Sequence, residues 1–259
     1  MAKCFQFPRG ILQICKDSQE LFSVAAERFV SIAKESVAMH GGYQVALSGG
    51  STPTTLYALL SNNTYSHRIP WDKTHLFWGD ERCVSHQSHD SNYHMAKDAL
   101  LSKIPIPSEN VHPTIGQDQD PQQAAAQYER TICSAFNLKT GENPGFDLIL
   151  LGLGTDGHTA SLFPGTLALS ETSKIVVANY VDNLKAYRIT LTLPVINNAR
   201  NVIFLVSGTS KQDILLRVLS APNTVLPATL ISPANGNLEW IVDAEAAAGL
   251  DLKTLHCLQ

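Results

Sequence analysis

The chain reads as an α/β fold, a mainly parallel sheet with helices on both faces. Three observations predict it. Short apolar runs alternate with helical patterns along the whole length, as a sheet built from strand–helix–strand units requires. Four loops rich in glycine, hydroxyl or charge (48–53, 79–82, 152–159 and 208–211) each follow one of the apolar runs. In a parallel sheet such loops gather at one edge, where open α/β sheets bind ligands. No internal repeat, low-complexity run or long linker divides the chain, so residues 1–259 are expected to form one domain with small excursions.

Each element has its own signal. Asp17 to Met39 carries Leu21, Phe22, Ala25, Phe29, Ile32 and Ala33 at helical spacing, and Asp17 with Glu20 resembles a capping box. Gln44–Leu47 is a short apolar strand leading into Ser48-Gly-Gly-Ser-Thr-Pro53. A helix follows from Pro53, a favoured first helical residue, with Leu56, Leu59 and Leu60 on one face. Thr74–Trp78 is the next strand, ending in the loop Gly79-Asp-Glu-Arg82, and helices are expected over Ser91–Leu101 and Pro121–Phe136. Strands follow at Phe146–Leu151, Lys174–Ala178 and Tyr187–Leu193, the last alternating like a half-buried one. Asn201–Val206 is a strand leading to the helix Gln212–Leu219, and Leu238–Val242 is the final strand.

Composition bounds the function. Of 259 residues, 44% are hydrophobic and 16% charged, as in an ordinary globular protein able to bury a substantial core. The net charge of −4 argues against a dedicated nucleic-acid binder but leaves room for a local phosphate pocket. Cys4, Cys15, Cys83, Cys133 and Cys257 are scattered and lack a C-x-x-C pair, which fits reduced thiols. The N-terminus lacks the apolar core of a secretory signal, and no segment approaches a membrane span. A cytoplasmic protein with no membrane partner is expected, monomeric or weakly homo-oligomeric.

The chemistry concentrates in Phe146–Pro164. A buried strand breaks into glycines at 152, 154 and 157, then gives Asp156-Gly-His-Thr159. His158 at a strand end is the candidate general base, since imidazole exchanges protons near neutral pH, and Asp156 is placed to fix its tautomer. Ser48, Gly49, Gly50, Ser51 and Thr52 form a strand-to-helix loop that suits a phosphate monoester, through backbone N–H groups and a helix N-terminus. The alternative is a capped glycine turn; a nucleotide P-loop is excluded because the G-K-[ST] ending is absent. Arg188 within a strand and Lys211 after Gly208 extend the loop into a phosphate clamp. Asp80, Glu81 and Arg82 are positioned to orient sugar hydroxyls or to stabilise an oxyanion through the arginine; alone they would read as a solvated ion-pair cluster.

Other patterns carry less. Gly152-x-Gly154-x-x-Gly157 matches a dinucleotide fingerprint, but Pro164 arrives too soon for the helix that receives a pyrophosphate. His86, His89 and His94 match no familiar metal-ligand spacing, and Cys83 beside Arg82 has no base nearby in sequence. No G-x-S-x-G elbow supports a serine nucleophile.

Taken together, Ser48–Pro53, Trp78-Gly-Asp-Glu-Arg-Cys-Val84, Ser91-Asn-Tyr93, Gly152–Pro164 and Arg188-Ile-Thr-Leu-Thr-Leu-Pro194 resemble the 6-phosphogluconolactonase branch of the glucosamine-6-phosphate isomerase/6-phosphogluconolactonase family. The resemblance runs in order from about residue 10 to residue 243. It implies a Rossmann-like fold shared with glucosamine-6-phosphate deaminase and ribose-5-phosphate isomerase. It also implies hydrolysis of a sugar-phosphate lactone in the oxidative pentose phosphate pathway, with no metal or redox cofactor. On that expectation, Ser48–Thr52, Arg188 and Lys211 hold the 6-phosphate, and His158 activates water. Arg82 or loop N–H groups steady the oxyanion, while Asp80 and Glu81 orient the sugar. The deaminase branch typically follows its histidine with an Asn-Glu-Pro element; here the run is Ser161-Leu-Phe-Pro164, without a carboxylate. A non-catalytic sugar-phosphate sensor is the alternative from another class. It would keep the phosphate loop without needing His158, and would normally carry a helix-turn-helix segment.

Overall fold

The structure, a computed structural model, describes residues 2–7, 10–114, 120–220 and 226–251. Cys257 and, in the N-terminal segment, Met1, Pro8 and Arg9 lie outside the described residues. In chain order the strands are β1 (Lys3–Phe7), β2 (Gly10–Cys15), β3 (Tyr43–Leu47), β4 (Thr74–Trp78) and β5 (Asp80–Arg82). They continue with β6 (Leu148–Leu151), β7 (Val176–Val181), β8 (Ala186–Leu191), β9 (Asn201–Val206) and β10 (Asn237–Asp243). The α-helices are α1 (Ser18–His40), α2 (Ser51–Leu60), α3 (Asn63–Ser66) and α4 (Asn92–Ala99). After them come α5 (Pro121–Ala135), α6 (Leu193–Ile196), α7 (Gln212–Ser220) and α8 (Ala244–Ala247).

A seven-stranded sheet in the order β4-β3-β6-β9-β10-β2-β1 forms the centre. Every pairing in it is parallel except that of the edge strand β1 with β2. Because side chains alternate across a strand, each central strand feeds two cores. Leu148 and Leu150 of β6 join Phe29 of α1 and Leu56 of α2 on one face. Ile149 and Leu151 join Tyr128 of α5 and Leu215 of α7 on the other. The expected architecture of helices on both faces is therefore observed. From β3 the chain passes outward to β4 and later returns to β6 on the opposite side, so the strand order reverses between β3 and β6. The loops after these two strands leave neighbouring positions at the carboxyl edge, the crevice where such sheets take ligands.

Local signals account for most boundaries. Asp17 caps α1, its side chain accepting from Glu20 N at 2.8 Å, while Glu20 reaches back to Lys16 N. Ser91 and Asp120 cap α4 and α5 in the same manner. Helix α2 departs from expectation: it begins at Ser51, so Pro53 is its third residue, and its buried residues are Pro53, Leu56, Tyr57 and Leu60 while Leu59 is half-buried.

The larger correction concerns 79–82. Asp80–Arg82 is not a loop but strand β5, which pairs antiparallel with β8 in a separate three-stranded sheet of order β5-β8-β7. The sequence patterns at 174–178 and 187–193 thus belong to this small antiparallel sheet rather than to the parallel one. The β1–β2 pairing was likewise not expected. No helix among the described residues is long and apolar enough to cross a membrane.

Candidate active site

The loops after β3, β6 and β9 open into a cavity of about 570 Å³, closed on its remaining side by β5 and β8 of the small sheet. Of the expected site residues, Ser48–Thr52, Asp80, Arg82, Asp156, His158, Arg188 and Lys211 all line it; Glu81 does not.

The loop after β6 holds His158 tightly. Gly154 N donates to His158 O at 2.9 Å, His158 N donates to Asp156 Oδ1 at 3.1 Å, and Thr159 Oγ1 donates to Gly152 O at 2.9 Å. The backbone around the imidazole is thus fixed on both sides. The ring nitrogen Nδ1 lies 2.5 Å from Asp156 Oδ1. Burial pushes the Asp156 carboxyl up, but hydrogen bonds from the backbone and ring of His158 outweigh it and hold the group below its ordinary range. An ionised acceptor at Nδ1 selects the tautomer that carries its proton there, leaving Nε2 as the acceptor. Gly154 explains itself at this point, because a β-carbon on it would sit 2.0 Å from His158 Nδ1, in the space the ring needs. Beyond His158 the chain turns sharply: Leu162 N donates to Thr159 O at 2.9 Å, and Ala160 adopts a left-handed φ of 46°. That conformation costs a residue with a β-carbon roughly 1–2 kcal/mol. The turn carries Phe163 back over the imidazole, with centroids 4.1 Å apart and planes 23° from parallel.

The loop after β3 is anchored from below. Tyr57 OH, fully buried, accepts from Ser48 N at 2.9 Å and donates to Ser48 O at 2.8 Å. Tyr128 OH does the same at the end of β4, with Trp78 N at 2.7 Å and Trp78 O at 3.0 Å. Burial raises both phenols above their ordinary range. No side chain caps the N-terminus of α2, so the partial positive charge of that terminus faces the cavity beside Gly49 and Gly50. Gly49 is required by close approach: its β-carbon would lie 2.0 Å from Asn92 Oδ1.

The small sheet supplies two cations and the loop after β9 a third. Arg82 of β5 and Arg188 of β8 are direct cross-strand partners, an arrangement that repels unless an anion bridges it. Arg82 Nη1 donates to Asp90 O at 2.5 Å and Arg188 Nη1 to Tyr187 O at 3.3 Å. Burial, and then the charge of Arg82, lower the pKa of Arg188. Lys211 Nζ donates to Leu153 O at 2.7 Å; burial lowers its pKa, and Asp156 opposes the shift. Among the described residues none of these three cations is in an ion pair with a carboxylate. Half-buried cations without a carboxylate partner can take up an anion.

The acidic residues divide. Asp80 borders the cavity, its Oδ2 accepting from Ser161 Oγ at 2.6 Å. Glu81 turns away from the cavity and is 1% exposed. Its carboxylate accepts from Arg82 N, Asn92 N, Tyr93 N and Ser91 Oγ, at 2.7, 2.7, 2.8 and 3.0 Å. Burial raises its pKa against those four bonds. The expectation that Glu81 orients the sugar is corrected: its charge is spent on fastening the start of α4 to β5. Asn92, which donates to Asp80 O at 2.9 Å, lines the cavity, as do Ser161 and Phe163. Sequence reasoning assigned none of these three a role, although all lie in the motifs it singled out.

Other candidates lie apart. His86 Nε2 bonds Thr114 O at 2.7 Å, and His94 pairs with Asp98 on its own helix. Burial raises the Cys83 thiol, the opposite of activation. Cys4, Cys15 and Cys133 are free as well. Among the described residues no group of three or more His, Cys, Asp or Glu side chains is arranged to hold a metal ion.

Comparison with known proteins bears on this geometry directly. Residues 16–240 match the family model described as glucosamine-6-phosphate isomerases/6-phosphogluconolactonase. The chain belongs to that family. A 6-phosphogluconolactonase of Synechocystis sp. is 44% identical over 218 residues, covering 83% of this chain and 88% of the relative. The solved 6-phosphogluconolactonase of Trypanosoma brucei superposes with a TM-score of 0.84 at 32% identity, covering 95% of this chain and all of the other. A monomeric glucosamine-6-phosphate deaminase shares the fold alone, at 20% identity and a TM-score of 0.75 over 92% of this chain and 99% of its own. The family's description names more than one chemistry, and the cavity's own residues must distinguish them.

Proposed function

We propose that this chain, as a single α/β domain acting in the cytoplasm, hydrolyses 6-phospho-D-glucono-1,5-lactone to 6-phospho-D-gluconate in the pentose phosphate pathway. The observation that carries the reading is one imidazole, bound through Nδ1 to Asp156 at 2.5 Å, in the same cavity as three cations that lack carboxylate partners among the described residues. The 6-phosphate takes the cationic side, held by Arg188, Lys211 and the N-terminus of α2. The lactone ring then reaches toward His158. Nε2 removes a proton from water as the water oxygen attacks C1, and Arg82 or loop N–H groups receive the negative charge that develops on the carbonyl oxygen. The C1–O5 bond breaks, and the imidazolium returns its proton to O5. Asp80, steadied by Ser161 and Asn92, accepts a sugar hydroxyl. The loop after His158 offers hydroxyl and apolar groups (Thr159, Ser161, Leu162, Phe163) and no carboxylate, which favours hydrolysis over an aldose–ketose shuttle.

The test is proton release from freshly generated lactone, corrected for its spontaneous hydrolysis, for the wild type and His158→Asn. A loss of about 10²–10⁴-fold is expected, the usual worth of general acid–base help. Equal rates would remove His158 from the chemistry. Inactivity of both, with ammonia release from glucosamine 6-phosphate by the wild type, would select the deaminase instead.

A further inference from the structure

We propose that Phe163 is a positioning residue for the reaction, acting as the second half of a clamp on the His158 ring. The inference rests on the reading of His158 as the base. Hydrogen bonds at Gly154, Asp156 and Thr159 fix the main chain around residue 158, but the imidazole can still rotate about two side-chain torsions. The bond from Nδ1 to Asp156 constrains one edge of the ring and leaves a hinge along it. Asp156 is itself half-exposed on a surface loop, so that bond alone would leave the ring free to swing about it.

Phe163 removes that freedom. Its ring covers one face of the imidazole at a centroid distance of 4.1 Å and an interplanar angle of 23°. The contact is made only because the chain reverses between them, through the left-handed Ala160 and the Thr159–Leu162 bond. The turn is pinned from outside as well. Ser161 N donates to Thr190 Oγ1 at 3.2 Å, and Asn179 Nδ2 donates to Ser161 O at 2.9 Å and to Thr166 Oγ1 at 3.0 Å. Both anchors come from the small sheet, so the stacking face is held by a different layer from the one that holds Asp156. A hydrogen bond at the edge and an aromatic plane on the face fix a ring in orthogonal directions. Together they keep Nε2 directed at the cavity. Strain maintained in a short turn is expected where its product is the placement of a reacting group.

The experiment compares Phe163→Leu, which keeps bulk without a flat face, Phe163→Tyr, which keeps the face, and His158→Asn. Two readouts are taken: steady-state hydrolysis of fresh lactone, and the imidazole carbon-bound proton resonances of His158, assigned by their loss in His158→Asn. The stack requires those resonances to be moved upfield by the Phe163 ring current in the wild type and in Phe163→Tyr, and to return downfield in Phe163→Leu. A positioning role requires Phe163→Leu to lose about tenfold in kcat with KM changed less than about twofold, since small misplacements of reacting groups carry large rate costs. Phe163→Tyr should restore kcat. Because Phe163 is only half-buried, the leucine variant is expected to fold, and Phe163→Met gives a second flexible replacement. Unchanged kcat in the leucine and methionine variants, or a rise confined to KM, would overturn the proposal. If His158→Asn is itself as active as wild type, the base assignment fails instead, and the resonance shift still reports whether the stack exists.

Discussion

The two walls of the cavity are built on opposite principles. On the wall formed by the parallel sheet, His158 and Asp156 satisfy each other, and the backbone around them is tied down before any ligand arrives. On the wall formed by the small antiparallel sheet, Arg82 and Arg188 face each other across paired strands, and among the described residues neither is in an ion pair with a carboxylate. The imidazole has its partner in place, and the two guanidiniums do not. The difference separates the two tasks: a general base must be aligned in advance, whereas binding energy is largest where unpaired charge meets the ligand.

That contrast is open to attack from either side. Beyond His158 itself, the largest effect is expected at Gly154, where alanine would put a β-carbon 2.0 Å from His158 Nδ1. The ring must move, so Gly154→Ala should lower kcat by about 10²-fold while KM for the lactone stays within a few-fold. A variant with wild-type kcat would show that the ring's placement is not critical. On the other wall, Arg188→Met should raise KM by about 10–100-fold, the worth of a charge-assisted hydrogen bond, with kcat nearly unchanged. If kcat falls instead and KM holds, Arg188 rather than Arg82 serves the oxyanion and the two arginines exchange roles.

The smallest effect sharpens the contrast through pH. Burial lowers the pKa of Lys211 from its usual 10.5. Its ammonium form binds phosphate, so affinity is full below the lowered pKa and is lost as pH rises through it. Inhibition by 6-phosphogluconate should therefore weaken by roughly tenfold or less on the alkaline side, beginning at a lower pH than an ordinary lysine would give. Lys211→Met should abolish that dependence. A wild-type inhibition constant that stays flat up to the pH where free lysine titrates would remove Lys211 from the phosphate site.

The same division explains what could be read from the chain. The parallel wall was legible because its signals are local. An apolar run such as Leu148–Leu151 marks a buried strand, and the glycines and His158 follow within a few residues. The small sheet was not, because β5 consists of three charged residues, Asp80-Glu-Arg82, with no hydrophobic periodicity to announce a strand. Its partner β8 lies more than a hundred residues downstream, so the pairing is a tertiary fact. Glu81 was misassigned for the same reason: three adjacent charges look alike in sequence, and only pleating sends Asp80 and Arg82 to the cavity and Glu81 to the start of α4. Asn92 and Ser161 meet across Asp80 from positions about seventy residues apart, a convergence no spacing reveals.

Tyr57 and Tyr128 each give one hydroxyl to both the N–H and the carbonyl at a strand terminus, and burial pushes both phenols up. Neither foundation stone of the rim titrates under conditions in which such a protein works. Inflections in a profile of rate against acidity then have their source elsewhere than in these two phenols.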